Sequence, residues 1–240
     1  MFGFKPEFVD CDDARIAYYD VGRGKPLVLL HGNGEDSSYW SAQIPELTRF
    51  YRVIAVDSRG HGASESGEHG LSFERMAKDL KIVLDTLGVT KAHFLGFSDG
   101  GNLAIKFALT YPEMVDKLIL NGANVEMFNG VKPQVQLPVY AGYGIAAVLS
   151  RFSKKAARRR DVLGLMVHPY GVSMADLERL PMQTLIIVGE HDMIRDKQTK
   201  EMASRIPHCQ VEVFRDGDHF VAAKQPSRFN RTVIEFLLGR

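Results

Sequence analysis

The segment PLVLL, at 26–30, sets the strongest limit on the fold. Leu27, Val28, Leu29 and Leu30 are all branched and apolar, and His31 and Gly32 follow at once. A strand with one wet face would alternate polar and apolar residues. An unbroken run needs apolar cover on both faces, which a parallel sheet between two helix layers supplies. YRVIAVD at 51–57 is a second such run, and AHFLGF, DKLILNG, TLIIVGE and QVEVF follow it along the chain. ARIAYYDVG at 14–22 reads as a strand that ends in a glycine turn.

Helical patterns fall between these runs. The stretch 37–50 reads as helix. From Phe73, apolar residues recur at Met76, Ala77, Leu80, Val83, Leu84 and Leu87, the stripe of an amphipathic helix. Ser72 is placed to cap it, Glu74 and Lys78 pair one turn apart on its wet side, and Gly88 ends it. Residues 100–111 and 221–238 read as two more helices. Alternating strands and helices with buried runs predict an α/β fold with helices on both faces of a mostly parallel sheet. The alternation stops over 122–180, which reads as an insertion over the carboxyl edge of the sheet. The predicted organisation is therefore a core of 1–121 and 181–240 with a lid of 122–180.

The 240 residues suit one large α/β domain or two small ones. Thirty Lys and Arg against 29 Asp and Glu give a net charge of +1, which offers no argument for a nucleic-acid partner. Two cysteines far apart, Cys11 and Cys209, do not make a disulfide framework. The opening MFGFKPEFVD lacks the pattern of a signal peptide, and no apolar run is long enough to cross a bilayer. The expectation is a cytoplasmic protein without stable membrane insertion.

Chemistry concentrates at LGFSDGG, 95–101. After a strand and before a helix, Gly96-Phe97-Ser98-Asp99-Gly100 fits G-x-S-x-G, a sharp turn that lifts a serine hydroxyl to a helix N-terminus. Glycines two residues before and after remove side chains that would collide in that turn. The alternative is a glycine-rich turn with a helix-capping serine. The spacing does not match the G-x-G-x-x-G of dinucleotide loops. A serine needs a base and an orienting acid. Asp192, after TLIIVGE, and His219, after QVEVF, follow in the order Ser, Asp, His, each at the carboxyl end of an expected strand. His191 stands before the last strand, the wrong place for the base. Asp216 and Asp218 are neighbours of His219 in sequence only. His31, His61, His69, His93, His168 and His208 read as structural or exposed. HGNG at 31–34 is placed for an oxyanion hole, with the N–H of Asn33 (Gly34 as second choice) beside that of Asp99. Phe97, Trp40, Gly34 and Asp99 are candidate substrate contacts. Neither cysteines nor histidines show paired ligand spacing, so no metal and no cofactor is expected.

HGNG, DSRGHGAS at 57–64, GFSDGG, GEHD and GDHF resemble, in order and spacing, the α/β-hydrolase superfamily. The resemblance covers nearly the whole chain except the insertion. It implies a mostly parallel eight-stranded sheet with an antiparallel second strand, and a short helical lid after the sixth strand. It also implies that DSRGHGAS is a structural loop beside the site. Ser98 separates the chain from similar branches that attack with aspartate. SDGG is similar to the group that includes valacyclovir hydrolase, where the acid after the nucleophile receives a substrate amine. Asp99 has a plainer role open to it, since an acid in the first turn of a helix is favoured by about 0.3–1 kcal/mol.

The expected function is a serine esterase acting on a small-molecule ester. Amide, thioester or carbon–carbon hydrolysis, acyl transfer and perhydrolysis use the same triad, and a ligand receptor can use the same scaffold. In the insertion, Arg151, Lys154, Lys155, Arg158 and Arg159 fall on one helical face. Ile145, Val148, Leu149, Phe152 and Ala156 fall on another. The pattern reads as one amphipathic helix with a basic wet side, in the first place a solvated face, with the drawing of anionic substrates or contact with anionic lipid as the alternative.

Overall fold

A computed structural model describes residues 5–240, so the first four residues of MFGFKPEFVD lie outside the described residues. Eight strands form one sheet: β1 Glu7–Cys11, β2 Ala14–Gly22, β3 Lys25–Leu30, β4 Tyr51–Val56, β5 Ala92–Phe97, β6 Val115–Asn121, β7 Gln183–Gly189 and β8 Cys209–Phe214. Their order across the sheet is β1-β2-β4-β3-β5-β6-β7-β8. The pairs β1/β2 and β2/β4 are antiparallel and all others parallel. The helices are α1 Ile44–Leu47, α2 Phe73–Thr86, α3 Asp99–Thr110, α4 Pro133–Leu149, α5 Lys154–Gly164, α6 Asp196–Arg205, α7 Val221–Lys224 and α8 Pro226–Leu238. No helix among the described residues is long and apolar enough to cross a membrane.

The unbroken runs serve two cores. Val28 and Leu30 of β3 join Ile54, Phe94, Leu118 and the inner faces of α2 and α3. Leu27 and Leu29, one residue out of phase, join Val53, Leu95, Trp40 and the inner face of α8. Successive side chains in a strand point to opposite faces, so a strand between two helix layers has no wet side to make polar. Ser72 caps α2 by accepting a hydrogen bond from Arg75 N at 3.2 Å, and Lys78 pairs with Glu74 at 2.9 Å on the exposed side.

Four details depart from the sequence expectation. β1 was not foreseen: it forms a hairpin with β2 through Asp12, which takes φ 43°. The stretch 37–50 is not one helix. A 3-10 turn at Ser37–Ala42 and the four-residue α1 meet at Gln43, and the 3-10 segment is itself kinked at Trp40, whose backbone is non-helical. Pro45 sits in the first turn of α1, where a proline starts a helix more readily than it continues one. The last helix is divided at Gln225, again before a proline, Pro226. Most consequentially, the insertion holds two helices. α4 begins at Pro133 and runs through Pro138, and the chain breaks over 150–153 before Ser153 caps α5. Arg151 and Phe152 therefore lie in a turn and on neither face of a single amphipathic helix.

Candidate active site

The site grows from the carboxyl ends of β3, β5, β7 and β8. After β5 the backbone turns at Ser98 with φ 53° and ψ −120°, a region that residues with a side chain rarely enter. Its N–H donates to Asn121 O at 2.8 Å, and its side chain makes no capping bond, so the helix-capping alternative does not describe it. The flanking glycines have a steric cause. A Cβ on Gly96 would stand 2.5 Å from Gly100 C, and one on Gly100 would stand 2.5 Å from His31 O and nearer still to Leu30 O. These are backbone atoms of β3 and α3, which cannot step aside as a side chain can. Gly100→Ala is expected to destabilise the fold by about 3 kcal/mol, at the upper end of overpacking costs. A urea midpoint equal to wild type would refute this account of the turn.

His219 and Asp192 meet beside this turn. His219 Nδ1 lies 2.7 Å from Asp192 Oδ1, both residues buried. Asp192 also accepts N–H groups from Ile194 at 3.0 Å and Gly189 at 3.3 Å, which fix its carboxylate. With Nδ1–H donating to Asp192, Nε2 is the free acceptor that a general base requires. The His219 ring rests on Phe97, the neighbour of Ser98, at 4.8 Å between centroids. Space for the pair comes from Gly122 at the end of β6: a Cβ there would lie 2.6 Å from His219 Cε1 and 2.8 Å from Nδ1.

The rival groups are engaged elsewhere. Asp218 accepts from Phe220 N at 2.9 Å and pairs with Lys224. His191 is exposed and forms a loose surface trio with Glu190 and Asp216, a common arrangement of exposed acids that carries no metal assignment. His31 is buried and accepts from Ser58 N at 2.9 Å. In the 57–64 loop, Asp57 accepts from Ser37 N at 2.8 Å and Ala63 N at 2.9 Å, and Ser64 Oγ accepts from Ala17 N at 2.8 Å. Arg59 makes a two-pronged bond to Asp79 at 2.7 Å per prong. The loop thus ties β2, β4 and α2 together and offers no reacting group.

At the end of β3, Asn33 is half-buried and Gly34 is exposed at the tip of the turn. Among the described residues, neither the Asn33 nor the Asp99 N–H donates to a loop, turn or cap acceptor. The Asn33 side chain donates to Asp99 Oδ2 at 2.8 Å and to Val162 O of α5 at 2.8 Å. The other Asp99 oxygen accepts from Asn102 at 3.3 Å, and Asn102 in turn bonds Asn124. Burial pushes the Asp99 carboxyl up to about 6, against the opposing pull of its two amide donors.

Two candidate contacts need correction, and one residue needs adding. Trp40 is fully buried, edge-on to Tyr39 and near Phe229, and presents no surface to a substrate. Phe97 is also buried, stacked on Tyr39 at 4.3 Å, and its contact with His219 is its link to the site. Glu35 was not singled out from the sequence. Its carboxylate accepts from Gly32 N at 3.1 Å, and burial raises it to about 7. A cavity of about 230 Å³ reaches His219 and is lined also by Lys132, Gln134, Met193 and Phe220.

Comparison with known proteins follows the same geometry. A family model described as alpha/beta hydrolase fold matches residues 25–162. A 2-hydroxy-6-oxononadienedioate/2-hydroxy-6-oxononatrienedioate hydrolase of Paraburkholderia phymatum is 30% identical over 94% of this chain and 91% of its own. The meta-cleavage product hydrolase of Pseudomonas fluorescens is 28% identical, with a TM-score of 0.78 over 94% of this chain and 95% of the other. A thermophilic esterase of Thermogutta terrifontis is 25% identical, with a TM-score of 0.80 over 98% and 99%.

Proposed function

The chain belongs to the alpha/beta hydrolase fold family, and on that premise we propose that it is a serine hydrolase cleaving a small carboxylic ester. The observation that carries the reading is the buried His219–Asp192 bond of 2.7 Å beside a serine held at φ 53° with no capping duty. His219 takes the Ser98 proton as Oγ attacks the carbonyl. The N–H groups of Asn33 and Asp99 stabilise the oxyanion. Asp192 holds the imidazole in its tautomer and steadies the imidazolium. The alcohol leaves with the proton from His219, and His219 then activates water to release the acid. The 122–180 segment is a lid on this site, with α5 bonded to Asn33 through Val162 O. A reducing, cytoplasmic setting fits the free Cys11 and Cys209.

A second reading is hydrolysis of a carbon–carbon bond in an oxo-dienoate acid, after the names of the relatives. Lys132 in the cavity at His219 favours it, because such a substrate carries a carboxylate. Side-by-side assays of short-chain p-nitrophenyl esters and a 2-hydroxy-6-oxo-dienoate separate the two. Ester turnover with an initial burst of nitrophenol supports the esterase. Turnover of the dienoate alone moves the assignment to the second reading, and inertness toward both removes the first.

We read Asp99 in this scheme as a brace rather than an amine receptor: its carboxylate is buried, and each oxygen already holds an amide donor from Asn33 or Asn102. Asp99→Asn is expected to slow α-amino esters and matched neutral esters by the same factor. Selective slowing of the amino esters would restore the amine-receptor role. The variant has a signature in stability as well. The folded-state carboxyl lies above its ordinary range, so its stabilising contribution is full below pH about 4 and is lost as pH rises through about 6. Unfolding curves of wild type should therefore weaken over that window relative to those of the variant.

A further inference from the structure

Helix α4 is turned inside out relative to an ordinary surface helix. From Leu137 onward its exposed positions are Leu137, Pro138, Ala141, Gly144, Ile145, Val148 and Leu149, a helical stripe without one polar side chain; the exposed Gln134 lies in the first turn, ahead of it. Leu137, Ile145 and Val148 are each more than 60% exposed. Gln136 is the polar residue buried beneath, donating to Met166 O at 3.1 Å. The stripe runs into Phe152 at the turn, 85% exposed. A surface helix normally hides such a stripe, and a contiguous apolar patch of this kind marks a contact surface.

The charges around it are one-sided. Between Lys132 and Asp161 there are six Lys and Arg residues and no Asp or Glu, while the whole chain has a net charge of +1, so the remainder is net −5. Arg158 is spent on Gly60 O at 2.9 Å and Arg160 on Asp161 at 2.6 Å. Arg151, Lys154, Lys155 and Arg159 are exposed beside Phe152. Between α4 and α5 a cleft of about 420 Å³ is lined by Ile145, Leu149, Phe152, Lys155 and Arg159.

We propose that the α4 stripe and the α4–α5 turn form a docking surface for an anionic lipid bilayer. Apolar side chains enter the boundary between headgroups and acyl chains, and the four exposed cations meet lipid phosphates and carboxylates. The 17 residues of α4 extend about 26 Å, short of the roughly 30 Å hydrocarbon core, so the helix lies in the interface plane. A second copy of the chain is the less suitable occupant. A two-fold contact through this face would set two groups of like charge against each other with no carboxylate between them.

The test uses the full chain and needs no substrate. It is sedimented with vesicles of phosphatidylcholine alone and of phosphatidylcholine mixed with phosphatidylserine, at low and raised salt. Wild type should bind the mixed vesicles at least about tenfold more tightly than the neutral ones, and salt should weaken that binding. Phe152→Asp, and separately Lys154→Glu with Lys155→Glu, should each weaken it by about tenfold or more. None of these residues belongs to the proposed catalytic machinery, so activity without vesicles should stay unchanged in both variants. Absence of binding, equal binding to both vesicle types, or variants that bind as wild type does would each overturn the proposal. A wild-type dimer in sedimentation equilibrium that Phe152→Asp dissolves would also overturn it, and assign the face to a second copy.

Discussion

Ser98→Ala should reduce kcat for p-nitrophenyl ester hydrolysis by about 10⁴- to 10⁶-fold while leaving the urea midpoint nearly unchanged. In the proposed mechanism the hydroxyl forms the acyl bond, and without it only the oxyanion donors and binding remain. The fold should not notice the loss, because Ser98 Oγ caps nothing and its backbone N–H still bonds Asn121 O. Alanine must adopt the same φ of 53°, so a small loss of stability is consistent and a large one is not. Activity within tenfold of wild type would remove Ser98 as nucleophile, and with it both hydrolase readings that depend on an acyl-enzyme.

Asp192→Asn should lower kcat by about 10⁴-fold, with less effect on KM. The carboxylate accepts three N–H groups, from His219, Ile194 and Gly189. An asparagine of the same size has only one acceptor oxygen. In one orientation its amide nitrogen faces His219 Nδ1, which favours the tautomer with the proton on Nε2 and leaves no base for Ser98. In the other its amide nitrogen opposes the Gly189 N–H, and that buried donor loses its partner at about 1–3 kcal/mol. The matched control is Asp218→Asn. That side chain pairs with Lys224 and Phe220 N, so its loss should leave kcat close to wild type. Equal losses in the two variants would sink the assignment of Asp192 as the orienting acid.

The sheet was legible wherever a strand is buried on both faces. PLVLL, VIAV and FLGF carry no polar interruption, and each lies in a strand of the sheet centre. β1, at the edge, escaped notice because EFVDC is mostly exposed and only weakly alternating. α6 escaped because DKQTKEMASR buries only Gln198, Thr199 and Met202, too few apolar positions to trace a stripe. The pattern in the insertion showed helix only from Ile145, and the first twelve residues of α4 escaped because Pro138, Gly142 and Gly144 are poor helix signals that tertiary context overrode. The proposed triad, Ser98, Asp192 and His219, was legible through local turns after strands. The brace was not. Asn33 and Asp99 lie 66 residues apart, and Asn33 and Val162 lie 129 apart. Nothing in either neighbourhood of the sequence tells one side chain where the other will be. Glu35 is similar: HGNGED gives its position after β3, and only the packing around it raises its proton affinity.

Gly96, Gly100 and Gly122 bear on how such a chain can diverge. Each stands where a methyl group would strike backbone or the His219 ring. Ser98 and His219 stand in space that the glycines keep open, and exchanging Ser98 for another small side chain leaves that space intact. Selection can therefore retire or replace the chemistry at this site in one step and keep the architecture. It cannot easily do the reverse. The lineage of the site is written in the residues that have no side chain to react with.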